Sequence, residues 1–124
     1  MDHPDTLTSL ANLAYAYNGL REWKEAEELG LEVVKKHKHV LGVDHPDTLR
    51  SMSNLAVTYS NLGKWEHAEE LESEVLKTRQ TALGDHHPDT LKVMTNLVIT
   101  YKELGRREDA KALSKTIEDI RKVS

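Results

Sequence analysis

The chain has 124 residues, with 17 Lys and Arg against 21 Asp and Glu, a formal net charge of −4 and 38% hydrophobic residues. An acidic balance of this kind argues against the basic footprint of a nucleic-acid binder, and the absence of Cys excludes disulfide and thiolate chemistry. No apolar run approaches the roughly 18 residues of a membrane span, and no charged-then-apolar leader opens the chain, so a cytoplasmic protein without a membrane partner is expected.

The first element begins at His3-Pro4-Asp5-Thr6-Leu7. Proline suits the first helical position because its missing N–H leaves nothing unsatisfied there. Aspartate in the first turn complements the helix dipole. Leu7, Leu10, Leu13, Ala14, Tyr17 and Leu20 follow at a 3.6-residue period, which predicts a helix over about 4–20 with those residues along its buried stripe. Arg21 then occupies the place where a helix end favours a left-handed glycine, and Gly19 stands two residues too early. The helix is expected either to stop sooner or to end in a strained turn.

A second helix is predicted from Trp23, Ala26, Leu29, Val33 and Val40/Leu41, with Glu25, Glu27 and Glu28 on a solvated face. Gly42 closes it. Gly30 lies inside and costs the helix about 1 kcal/mol against alanine. Ser114 and Glu72 occupy its place in the rest of the chain, so a close-packing role is open.

The opening motif returns as His45-Pro46-Asp47-Thr48-Leu49 and as His87-Pro88-Asp89-Thr90-Leu91, starting 42 residues apart each time. Asn12-Leu13-Ala14 with Tyr17 recurs as Asn54-Leu55-Ala56 with Tyr59, and as Asn96-Leu97-Val98 with Tyr101. A fixed period of roughly 20–50 residues marks a stacked repeat array. One repeat domain over 1–124 is expected, with repeats 3–44, 45–86 and a shortened 87–124. Gly63 and Gly105 supply the helix ends that Arg21 does not, and Trp65, Ala68, Leu71, Val75 and Ala82/Leu83 repeat the second stripe. In the third repeat Arg107 replaces the tryptophan. Its last helix has only Ala110, Leu113, Ile117 and Ile120 as a stripe, a polar helix suited to the solvent end of an array.

Charge is uneven along the array. Residues 1–44 carry five Lys/Arg against eight Asp/Glu, residues 45–86 four against seven, and residues 87–124 eight against six.

On a helical wheel, Thr8, Asn12 and Tyr15 point away from the core stripe. Their repeat equivalents are Arg50, Asn54 and Val57, then Lys92, Asn96 and Ile99. Three apolar residues in register beside three asparagines form a candidate recognition stripe. An amide both donates and accepts, so it can pair with the main chain of an extended peptide without reading its sequence. Arg50, Lys92 and Lys102 add positive charge that favours acidic residues in such a peptide. The expected peptide-binding residues are therefore Asn12, Tyr15, Arg50, Asn54, Val57, Lys92, Asn96, Ile99 and Lys102. Alternatively, the asparagines bridge neighbouring helices and meet no ligand.

No catalytic or metal site is expected, and no cofactor. His37 and His39, or His86 and His87, do not place two imidazoles on one helix face, and His3, His45 and His87, each at the start of a helix, read as caps or packing residues. No nucleophile motif or glycine-rich phosphate loop is present.

The spacing Asn-Leu-Ala-x-x-Tyr, then Leu-Gly-x-Trp and Ala-Glu-x-Leu, resembles the tetratricopeptide repeat. The 42-residue period and the His-Pro-Asp-Thr-Leu start are similar to the repeats of kinesin light chains and of arrays that end NACHT or NB-ARC signalling proteins. The resemblance implies an all-α fold, a right-handed superhelical solenoid of antiparallel helix pairs. It further implies a protein–protein interaction scaffold whose first helices line a concave groove for extended peptides. The rival expectation is a structural spacer, or a homo-oligomer formed through repeat ends that leave Leu7 and Leu10 partly uncovered.

Overall fold

The structure, a computed structural model, describes the backbone of residues 4–123 and the side chains of residues 7–123. The described residues form six α-helices: α1 (Pro4–Gly19), α2 (Trp23–Val40), α3 (Pro46–Asn61), α4 (Trp65–Leu83), α5 (Pro88–Glu103) and α6 (Arg107–Lys122). They fall into two compact units, α1–α3 ending at Lys64 and α4–α6 starting at Trp65. Short connections make consecutive helices antiparallel neighbours within each unit. In the first unit α2 packs against both α1 and α3, and in the second α5 packs against both α4 and α6.

The helix starts follow from the motif. His45 and His87 are N-caps whose Nδ1 accepts from the backbone N–H of Asp47 at 3.0 Å and of Asp89 at 3.1 Å, with proline at the first helical position. Nδ1 is thus the unprotonated nitrogen of each ring. The same expectation for His3 lies outside the described residues.

The ends follow the glycines. Gly63 and Gly105 adopt φ of 76° and 77°, the left-handed conformation. Lys64 N–H then bonds to the Tyr59 carbonyl at 2.8 Å, and Arg106 N–H to that of Tyr101 at 2.8 Å. The first helix does not end sooner. Arg21 takes φ 61° itself and the same bonding survives, Glu22 N–H reaching the Tyr17 carbonyl at 2.9 Å.

In the first unit the core comprises Leu7, Ala14, Ala26, Val33, Val34, Leu49, Met52, Leu55, Ala56 and Tyr59. Gly30 is buried because a Cβ there would lie 3.0 Å from Leu55 Cδ1, so the open role resolves as close packing of α2 on α3. In the second unit Met94, Val98, Ala110, Ile117 and Ile120 form one cluster flanked by Leu76, Leu91, Tyr101 and Leu113.

Two expectations need correction. Leu7 is fully buried although Leu10 is half-buried as expected, and Leu13 is 46% exposed and Leu20 68%. Among the described residues no helix precedes α1 to cover Leu13 as α2 covers Leu55. At the far end of α4, Ala82 and Leu83 are exposed rather than packed.

Candidate functional site

The first helix of each repeat carries its core residues on one side and an exposed apolar residue on another. Tyr15, Val57 and Ile99 are 66%, 45% and 52% exposed, while their neighbours Ala14, Ala56 and Val98 are buried. Asn12 is exposed and Asn54 and Asn96 are half-buried. Among the described residues none of these three side-chain amides makes a hydrogen bond. Their donors and acceptors are therefore open to an incoming backbone, and the bridging alternative has no hydrogen bond of theirs in its support.

The first unit holds Asn12 and Tyr15 on α1 with Arg50, Asn54 and Val57 on α3. Asn18, which the sequence reading passed over, sets these two helices together. Its Nδ2 donates to the Asn54 carbonyl at 3.3 Å, and its Oδ1 accepts from the Thr58 hydroxyl. Arg50 is exposed and its Nη1 lies 3.7 Å from Asp47 Oδ1, a weak pair one turn away.

The second unit holds Lys92, Asn96, Ile99 and Lys102 on α5. Lys92 and Lys102 are exposed, and neither forms an ion pair among the described residues. Lys102 occupies the repeat position of Asn18. Arg106 beside it stacks 4.7 Å over the Tyr101 ring, and its Nε lies 2.8 Å from Asp109 Oδ2. Lys92 and Lys102 thus place two basic residues on the helix that carries Ile99.

Two buried polar pairs lie elsewhere, where second helices meet first helices. His37 Nδ1 is 2.9 Å from Ser51 Oγ, and the Ser51 hydroxyl donates to the Thr48 carbonyl, so His37 Nδ1 supplies the proton between them. Burial lowers the His37 pKa, partly opposed by Asp47 and reinforced by His45. The Glu72 carboxylate accepts from the Thr100 hydroxyl at 2.6 Å. Burial raises its pKa, against the lowering effect of that hydrogen bond and with a contribution from Glu69. Among the described residues no cluster of His, Asp or Glu has the arrangement to hold a metal ion.

The family profile described as tetratricopeptide repeat matches residues 6–47 and 48–89. No curated protein sequence matches the chain. Among solved structures, it is similar to the nearly identical TPR-like repeats of a Podosopora anserina protein assigned to the kinesin light chains. That similarity is 32% identity over 97% of this chain and 57% of the other, at TM-score 0.82, and a single-substitution variant gives 0.83. It also shares its fold with BtubC (BKLC) from P. vanneervenii, at 24% identity and TM-score 0.87, over 98% of this chain and 49% of that one. The chain thus spans about half to three-fifths of the length of these relatives.

Proposed function

This chain belongs to the tetratricopeptide-repeat family, as an all-α repeat solenoid of the kinesin-light-chain-like type whose repeats mediate contacts between proteins, and from that premise we propose that it binds an extended peptide along the exposed side of its first helices. Proteins built from such repeats are typically scaffolds rather than enzymes. The observation that carries the peptide reading is the combination at each first helix of an unengaged asparagine amide and an exposed apolar side chain one turn away. The apolar residues offer burial worth about 25 cal/mol per Å² of covered surface. The amides offer main-chain pairing that is indifferent to peptide sequence. Arg50, Lys92 and Lys102 favour acidic side chains in the ligand, which would steer association at low salt.

Peptide display against the chain provides the test. Selected peptides should be enriched in Asp and Glu. The Asn54→Ala and Asn96→Ala variants should each bind them about tenfold more weakly, a loss on the scale of one hydrogen bond to an amide. Circular dichroism of both variants should match the parent. Unchanged affinity in both would refute the reading.

A further inference from the structure

Resting on the peptide reading above, we propose that Glu72 makes the hold of α5 on an acidic peptide proton-dependent, its neutral carboxyl favouring the bound state and its carboxylate opposing it.

Thr100 links the peptide-binding side of α5 to its buried side. Ile99 before it is exposed, whereas Thr100 is buried against α4. The Thr100 hydroxyl lies 2.6 Å from Glu72 Oε1 and 3.1 Å from the Asn96 carbonyl one turn earlier. A hydroxyl has a single proton to donate. An ionised Glu72 can only accept, so the shorter contact takes that proton and the Asn96 carbonyl goes without it. A protonated Glu72 donates to Thr100 Oγ1 instead, and the hydroxyl proton turns to the Asn96 carbonyl. The carboxylate charge thus stands two hydrogen bonds behind the backbone of Asn96, on the helix that also carries Lys92, Ile99 and Lys102.

Burial keeps that charge from being screened by water and salt. An acidic peptide laid over Asn96 and Ile99 is drawn by Lys92 and Lys102, and an ionised Glu72 subtracts from that attraction. Among the described residues no cation pairs with Glu72. Arg106, in the turn after α5, is held by Glu69 of α4 at 3.6 Å and by Asp109 of α6 at 2.8 Å. On α5 the charged residues next to Thr100 in sequence are Lys102 and Glu103, both exposed. Burial holds the Glu72 pKa above its ordinary value of 4.5, opposed by the Thr100 hydrogen bond and reinforced by Glu69.

The first unit has the same hydroxyl without a titratable partner. Thr58, at the repeat position of Thr100, lies 3.1 Å from the Asn54 carbonyl, and its other acceptor is the neutral Asn18 amide. Gly30 occupies the place of Glu72 there. The proton dependence therefore belongs to α5 and not to α3.

Fluorescence anisotropy of the whole chain with a display-selected acidic peptide lacking histidine tests this, comparing the parent with Glu72→Gln, which is neutral at every pH. At about pH 7.5 the variant should bind about fivefold more tightly, the scale of one like charge about 10 Å away at a dielectric between those of water and a protein surface. The gap should narrow toward about pH 5, where the peptide's own carboxylates remain largely ionised. Both proteins contain the same histidines, so the difference between their pH profiles reports Glu72 alone. In the free chain, the Asn96 and Thr100 amide resonances should shift with the Glu72 carboxyl titration in the parent and lose that step in the variant, with no matching step at Thr58. Circular dichroism should show both proteins equally helical at both pH values. Failure of either protein to bind any acidic peptide would remove the peptide reading and this inference together. With binding intact, equal affinities at about pH 7.5, coincident pH profiles, or amides that titrate alike in the two proteins would overturn this inference alone.

Discussion

Arg21 holds the left-handed backbone that Gly63 and Gly105 hold at the equivalent turns. That conformation costs an L-residue about 1–2 kcal/mol because Cβ crowds the following carbonyl. Arg21→Gly should therefore stabilise the chain by about 1 kcal/mol, read as a higher urea midpoint at unchanged slope. Glu72 is set against its surroundings differently. Its folded carboxyl binds a proton more readily than in the unfolded chain, whose pKa is near 4.5. The associated stability is fully present below that value and is lost as pH rises through the elevated folded pKa. Glu72→Gln keeps an oxygen for the Thr100 hydroxyl while removing the charge. The variant should be more stable than the parent at pH 7, with the difference shrinking toward pH 4 in urea titrations. His37 acts with the opposite sign of shift. Its lowered folded pKa means that its contribution is present above pH 6.5 and fades as pH falls through the folded value.

At the scale of elements, equivalent stripes on α1, α3 and α5 meet unequal surroundings. Leu55 and Leu97 are buried, and Leu13 is not. Leu55→Ala should cost roughly 2–5 kcal/mol through lost transfer energy and a residual cavity, while Leu13→Ala should stay within about 0.5 kcal/mol, as for an open surface site. Thermal melts of the two variants compare them directly. The spans and phases of these helices were legible in the sequence, since the proline starts, the glycine ends and the 3.6-residue stripes are local signals. The stripe of α6 was equally plain, with Ala110, Ile117 and Ile120 buried. Leu13 and Leu20 were misjudged because periodicity tells which side of a helix is apolar, not whether anything lies against it. Asn18 escaped for a related reason: its role depends on the Asn54 carbonyl and Thr58, which sit 36 and 40 residues away.

For the molecule as a whole, the repeat period specified the fold and the family, because each repeat is one helical unit that must stack to bury its stripes. The candidate surface was legible only as a set of residue types in register. The exposure of Tyr15, Val57 and Ile99, and the unengaged amides of Asn12, Asn54 and Asn96, required the structure. The most direct measurement is an amide chemical-shift titration of the isotopically labelled chain with a selected acidic peptide. We predict that the largest shifts fall on residues 12–15 of α1, 50–57 of α3 and 92–102 of α5. Shifts concentrated on the outer faces of α2, α4 and α6, with those stretches unmoved, would contradict the account.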